Sequence, residues 1–511
     1  MSSPQTGHPK GLYLLFFTEM WERFSYYGMR AIFMLFMVKA LLISDSEASN
    51  VYGSYTGLVY LTPLLGGYIS DRFWGNRRSI LVGGVLMAIG QLLLFVSGSF
   101  VEAGAQNANA MTAMWAGLTL LIIGNGFFKP NISTMVGQLY PANDRRIDSA
   151  FTIFYMGINL GALFSPLVAG TLGDTGNIFD FKWGFLVASI GMVLSILTFE
   201  LLKNKYLVHD DGTPVGMPKA KMDMKTILTI LGSVAVVFFL MNFKSWFQTD
   251  FDLTGVLIYG AMVAMPIVIF SDKSLVHEEK QRISVIFILA FFVIFFWACF
   301  EQAGASLTLF ADRQTDRHIG TWEMPASYFQ SVNPIFIITL APLFSMMWGW
   351  LGKKGWEPSS PLKMAIGLGL LALGYAVIAF GVHGMAPSAK ISLWWLITLY
   401  GLHTMGELCL SPIGLSMVSK LAPMRLSSLL MGTWFLANAA ANKFAGTLSA
   451  LIPPSAEDMA KDASLKIPSF LGFQLDNLFS FFLVFIALSG SAAVVLVIIH
   501  KWLQKRMHGV N

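Results

Sequence analysis

Charged residues standing inside apolar sequence are the groups of this chain that could do chemistry, and they are densest near its start. Glu19, Glu22, Arg23, Tyr26 and Arg30 fall within about 100° of one another at roughly 100° per residue, with Tyr27 at the margin, so a helix would gather them on one face. Ionisable groups in lipid cost several kcal/mol unless paired or hydrated, and such a face has to meet a polar interior. Lys129 follows Gly124 and Gly126 and precedes Pro130, residues that open the backbone at that depth; a glutamate of the first helix is its expected partner. Far along the chain come Glu301 and Glu407, with Asn333-Pro334 between them. Two cations, Arg30 and Lys129, and two acids, Glu301 and Glu407, suit a molecule with opposite charges at its ends. No histidine, cysteine and aspartate set with metal-ligand spacing and no serine beside a base is evident, which argues against a metal site and against an enzyme. The competing reading of Glu19, Glu22 and Arg23 is a fixed ion-pair network that glues helices together. Lys443 is expected to snorkel or pair with a carbonyl, and Trp434 alone reads more readily as packing than as a ligand contact.

The elements that must position these groups are membrane helices. Of 511 residues 55% are hydrophobic and only 12% charged, with mean hydropathy +0.62, against about 25% charge in a soluble domain. Fourteen apolar stretches are long enough to cross hydrocarbon. The first is Gly11–Leu42, the fourth Ala113–Leu139, the ninth Ile283–Ala311, the tenth Tyr328–Leu351, the twelfth Leu393–Leu421, the thirteenth Leu429–Leu451 and the last Leu475–Trp502. The first carries too many charges for a cleavable signal peptide and reads as a retained helix. Loops after even-numbered stretches hold Arg72, Arg77, Arg78, Arg145, Arg146, Lys203, Lys205, Lys353, Lys354, Lys363, Lys420 and Arg425, while 44–50 and 101–110 hold no lysine or arginine. The basic side is cytoplasmic, so both termini are expected inside. The pI of about 9.0 follows from that asymmetry and is not read as nucleic-acid binding. Cys299 and Cys409 lie within apolar stretches and read as packing residues.

An internal repeat organises the stretches. The segment 124–141 lies without gaps on 406–423, matching glycine, both prolines, Met-Val and a leucine, and Ala169-Gly-Thr-Leu172 recurs as Ala445-Gly-Thr-Leu448 at nearly the same offset. The plan is an N-terminal six-helix bundle over 1–202, a cytoplasmic linker with two inserted helices over 203–282, and a C-terminal six-helix bundle over 283–511. Parallel halves suggest a rocker-type transporter. The inserted pair, Thr226–Asn242 and Leu253–Phe270, is expected to be peripheral, and Lys203–Lys225 reads as a hinge. The charged segment with Asp71, Arg72, Arg77 and Arg78 reads as a tight loop that gates rather than binds.

Glu19-Met-Trp-Glu22-Arg23-Phe-Ser-Tyr26-Tyr27-Gly28-Met29-Arg30 resembles the E-x-x-E-R-F-x-Y-Y-G-M signature of the proton-dependent oligopeptide transporters, a branch of the major facilitator superfamily. Gly66 to Gly75, Phe127-Phe-Lys129-Pro-Asn131, the segment from Phe151 through Tyr155 and Asn159 to Gly161, Glu301-Gln302, Asn333-Pro334 and Gly406-Glu407-Leu with Ser411-Pro412 resemble further motifs, so the likeness covers essentially the whole chain. Ser79 stands where threonine is commoner. The resemblance implies an all-α polytopic fold of fourteen helices in a bacterial inner membrane, a monomer, and proton-driven import of di- and tripeptides with no cofactor. It further implies that Arg30, Lys129 and Asn159 handle the peptide carboxylate and Glu407 with Asn333 the amino end, while Tyr26, Tyr60 and Trp434 line the pocket. Glu19, Glu22 and Arg23 would couple protons, and Glu301 would be the proton-switched partner of Arg30. A carrier of nitrate or a peptide-like drug, and a peptide sensor without transport, are the competing expectations.

Overall fold

Backbone in hydrocarbon has to satisfy its own N–H and C=O groups, and a helix does so within one segment. The computed structural model describes residues 7–141, 144, 146–209, 211–217, 224–386, 389–454, 459 and 466–509, apart from the side chains of 225, 226, 412, 413, 415 and 428. Arg145 and Pro412 of the sequence reading, and part of the stretch Lys203–Lys225, lie wholly or in their side chains outside the described residues. Among these, fourteen helices have 18 residues or more. They are α1 Lys10–Leu35, α2 Asp45–Ile69, α3 Gly75–Ser99, α4 Ala108–Gln138, α5 Ile147–Gly173, α6 Phe181–Tyr206, α7 Met224–Phe247, α8 Leu253–Phe270, α9 His277–Phe300, α11 Val332–Lys353, α12 Ser360–Val382, α13 Leu393–Leu421, α14 Ser427–Ser449 and α15 Leu478–Arg506. A short helix, α10 Ser306–Arg313, follows α9. Ten stretches of described residues, with α2 and α3 counted as one, are long and apolar enough to cross a membrane with at most two charges. The helices outside that set are α1, α13 and α14, which carry Glu19 to Arg30, Glu407 and Trp434.

Two of the differences from the sequence reading have a local physical cause. The ninth stretch is broken: α9 stops at Phe300, a 3-10 turn spans Glu301–Gly304, and Ala305 leaves helical geometry at φ −127°, ψ −106° before α10. Apolar periodicity is continuous across that point, so only the small residues Ala303, Gly304 and Ala305 mark the break. The second difference is that α2 begins at Asp45, inside the segment 44–50 read as a loop. Asp45 and Glu47 occupy its first turn, where the positive end of the helix dipole favours carboxylates.

The chain forms two compact units. In the first, which runs up to Leu42 and from Leu58 to Leu253, α1 packs on α5 and α6, α3 on α4 and α6, and α7 on α4. In the second, Ile43–Gly57 joins the chain from Thr254 onward. There α12 packs on α13 and α15, α11 on α13, and α9 on α14. Within this unit Gly53 meets Gly446 so closely that a Cβ on Gly53 would lie 2.7 Å from the Gly446 Cα, the small-residue contact by which membrane helices approach. The inserted helices α7 and α8 turn Leu231 and Ile267 outward, as lipid-facing helices do.

The segment read as a charged loop is wound instead. Ser70–Trp74 continues α2 as a π-helical turn, Gly75 takes φ +66°, and α3 begins there, so Arg77 and Arg78 stand on a helix. The reading of Lys203–Lys225 as a hinge is also revised for its described part. Arg77 Nε donates to Val215 O at 2.6 Å, Nη1 to Asn204 Oδ1 at 2.9 Å and Nη2 to Leu207 O at 2.5 Å. With Leu207 and Val215 buried, this strap is fastened to α3. Arg77→Ala removes three charge-assisted bonds and orphans two carbonyls, at a cost of about 2–4 kcal/mol. Limited proteolysis of the purified protein should then cut within 207–217 faster than in the wild type, and equal rates would contradict the anchoring role.

Candidate functional site

The helical spacing of α1 places Glu19, Glu22 and Arg23 in the interior of the first unit, each at most 1% exposed. Neighbours brace the helix at this level: Ser195 Oγ of α6 donates to Thr18 O at 2.6 Å, and Gln91 Nε2 of α3 donates to Ser25 Oγ at 3.2 Å. Arg23 forks onto Glu22, with Nε on one carboxylate oxygen and Nη2 on the other at 2.6 Å, a bidentate geometry that fixes both side chains. Arg23 Nε also lies 3.2 Å from Glu19 Oε1, yet neither oxygen of Glu19 accepts a hydrogen bond from the described residues. Lys129, on the glycine-flanked and proline-bearing part of α4, is within electrostatic reach of Glu19, and its Nζ stands 5.6 Å from the centre of the Tyr60 ring. Two carboxylates, one guanidinium and one ammonium therefore sum to zero.

The aromatic residues of α1 extend this face. The guanidinium of Arg23 lies 5.2 Å from the centre of the Tyr26 ring, Tyr26 and Tyr27 meet edge to face at 5.2 Å, and Arg30 lies 5.8 Å from the Tyr27 ring. Such cation–π contacts keep a cation oriented with little water. Asn159 of α5 is buried and donates from Nδ2 to Tyr155 O at 2.9 Å.

In the second unit Asn333, at the start of α11, donates from Nδ2 to Glu407 Oε2 and to Thr404 Oγ1, both at 2.9 Å. Glu407 is 8% exposed and Glu301 5% exposed, and the two carboxylates are within electrostatic reach of each other. Glu301 sits at the break between α9 and α10, and interrupted helices of this kind are where transporters commonly build ion and substrate sites. Trp434 of α14 is buried against Gly414, where a Cβ would stand 2.3 Å from the indole, so only glycine fits beneath that ring. Lys443 does not snorkel: it is 1% exposed and donates to Ser54 Oγ at 2.8 Å. Asp71 and Arg72 are exposed, and Arg72 Nη1 donates to Tyr68 Oη at 3.2 Å.

Two residues of this site were not anticipated. Thr404 shares the Asn333 amide with Glu407, and His403, one turn before Glu407, is buried with its ring 4.8 Å from Tyr375 and no hydrogen-bond partner for Nε2 among the described residues. A histidine within an apolar stretch, four residues from an acid, was the available signal.

Buried charges on a polytopic bundle can hold the charged ends of a small molecule and exchange protons. They define a membrane transporter rather than an enzyme. The POT family model matches residues 77–464. The chain is 35% identical over 471 residues to the peptide transporter YePEPT of Yersinia enterocolitica subsp. palearctica, covering 89% of this chain and 90% of that one. It is 31% identical over 474 residues to a di-/tripeptide transporter of Lactococcus lactis subsp. lactis, covering 88% and 91%. Among solved structures, a peptide transporter POT in complex with sulfate matches with a TM-score of 0.83 at 32% identity, covering 99% of this chain and 97% of that chain. The chain belongs to the POT family and has the major facilitator fold, with two six-helix bundles and two inserted helices.

Proposed function

We propose that this transporter is a proton-coupled symporter that imports di- and tripeptides by alternating access. The observation that carries the reading is the pairing of a charge-balanced cluster, the buried Glu19, Glu22 and Arg23 with the half-buried Lys129, with a carboxylate held by an amide, Glu407 and Asn333. The peptide-transport names of its relatives support the substrate class. Arg30, Lys129 and Asn159 receive the carboxylate end, and Glu407 with Asn333 the ammonium end. Tyr26, Tyr60 and Trp434 line the pocket. Glu19, Glu22 and Arg23 couple protons, with Glu301 as the switched partner of Arg30. Asp71, Arg72, Arg77 and Arg78 serve gating, and residues 1–202, 203–282 and 283–511 act as bundle, insert and bundle. The driving force is the proton gradient, with no cofactor, and the working unit is a monomer in a bacterial inner membrane.

Orientation follows from the basic segments: 71–78 and 203–225 face the cytoplasm with both termini. Single cysteines placed there should resist impermeant reagents in intact cells; ready labelling from outside would overturn the topology.

The role of Glu407 gives a direct test of substrate class. Free dipeptides should compete with labelled dipeptide uptake, while the same peptides N-acetylated should compete at least about tenfold less well, because a neutral amide replaces the ammonium that pairs with the carboxylate. Equal competition by both forms, or competition by nitrate, would remove the peptide reading of this end of the site.

A further inference from the structure

In the first unit the chain after α6 folds back as the strap 207–217 and is held by Arg77, in the first turn of α3. The helices that correspond by chain order in the second bundle are α12 and α15, and there the chain does something else. Met507 N–H bonds back to Leu503 and Gln504, and His508 Nε2 lies 2.6 Å from Gln281 Oε1, so the residues after α15 turn toward α9. Near the start of α12 is a cavity of about 450 Å³, lined among others by Ser359, Ser360, Lys363, Ser416, Lys420 and Gln504.

The lining is polar and specific in its charges. Lys363 Nζ is held 2.5 Å from Glu357 Oε1, on the cavity wall, and 4.6 Å from the centre of the Trp348 ring. Ser359 Oγ is buried with no hydrogen-bond partner among the described residues. Hydroxyls, an amide and two ammonium groups form a donor set suited to a phosphate, and Glu357 accepts hydroxyl protons. The surrounding residues place the cavity at the depth of lipid headgroups: Trp350, Trp356 and Trp502 are exposed, with Lys354 Nζ 4.0 Å from the Trp350 ring and the Arg506 guanidinium 4.0 Å from the Trp502 ring. Tryptophan with lysine and arginine is the composition of a membrane interface, and basic pockets between helices at that level bind anionic headgroups.

We propose that this cavity binds the phosphate-bearing headgroup of an anionic phospholipid with hydroxyls to offer, of the phosphatidylglycerol type. Lys363 and Lys420 attract the phosphate, Ser359, Ser360 and Ser416 bond its oxygens, and Glu357 accepts from the glycerol.

Binding is measured on the full chain in neutral detergent, with short-chain phosphatidylglycerol, short-chain phosphatidylcholine and inorganic phosphate as separate probes. Phosphatidylglycerol should bind at least about tenfold more tightly than phosphatidylcholine, and the double variant Lys363→Ala/Lys420→Ala should lose about tenfold or more of that affinity. Glu357→Gln releases Lys363 from its internal partner and should tighten phosphatidylglycerol binding, a change of opposite sign that loss of folding cannot mimic. Equal binding of the two lipids, or a Glu357→Gln variant that binds no more tightly than wild type, would overturn the proposal. Inorganic phosphate binding as tightly as phosphatidylglycerol, with the same dependence on the lysines, would also overturn it and assign the cavity to a soluble anion.

Discussion

Lys129→Ala should abolish gradient-driven peptide uptake and leave a protein that folds less stably than the wild type. The reason is charge arithmetic. Glu22 takes both hydrogen bonds of the Arg23 fork, and among the described residues Glu19 has the 3.2 Å contact with Arg23 and the field of Lys129 to balance it. Removing the ammonium leaves the cluster of Glu19, Glu22 and Arg23 with one net negative charge, and breaking a buried ion pair typically costs about 3–5 kcal/mol. The cluster relieves that cost by keeping a proton permanently, which ends coupling. Neutralising both partners separates this account from simple helix gluing. Lys129→Ala combined with Glu19→Gln restores neutrality and should recover thermal stability, but not proton-driven accumulation. If the double variant accumulates peptide like the wild type, these residues serve packing alone.

Glu301→Gln is expected to lose accumulation against a gradient while still exchanging peptide across the membrane. Glutamine keeps the shape of the side chain and mimics its protonated state. Glu301 opens the 3-10 turn at which the ninth stretch breaks, 5% exposed and within reach of the Glu407 carboxylate. In the proposed cycle a proton on Glu301 releases Arg30 for the peptide carboxylate, and return of that proton to the cytoplasm drives the peptide off. A pair of unit charges at ~4 Å and an effective dielectric near 20 is worth on the order of 4 kcal/mol before desolvation. One charge moving down ~100 mV supplies ~2.3 kcal/mol, enough for roughly a fifty-fold gradient before any pH difference is added. The variant should therefore equilibrate labelled peptide in counterflow but fall to a ratio near unity in driven uptake. Full driven accumulation by Glu301→Gln would move the switch to Glu19 or Glu22.

The legibility of these features in the sequence depended on whether a side chain recorded them. The α1 face was legible because helical periodicity alone brings Glu19, Glu22, Arg23, Tyr26 and Arg30 to one side, and charges in apolar sequence stand out. Helix number was legible because lipid demands long apolar runs. The break at Glu301 was not, since alanine and glycine continue a hydropathy pattern as readily as they end a helix. Nor was the Arg77 strap, because two of its three acceptors are backbone carbonyls, which every residue possesses and no sequence marks. The cavity at the start of α12 depends on residues of four helices, α11, α12, α13 and α15. Its lysines looked like ordinary members of a basic cytoplasmic edge.

The central claim, that a proton gradient drives peptide import through this chain, is tested most directly by uptake of a labelled dipeptide into proteoliposomes, with and without an acid exterior and an inside-negative potential. The account predicts accumulation above the external concentration when the gradient is imposed and collapse to equilibration when a protonophore is added. Uptake that is indifferent to both the gradient and the protonophore would contradict it.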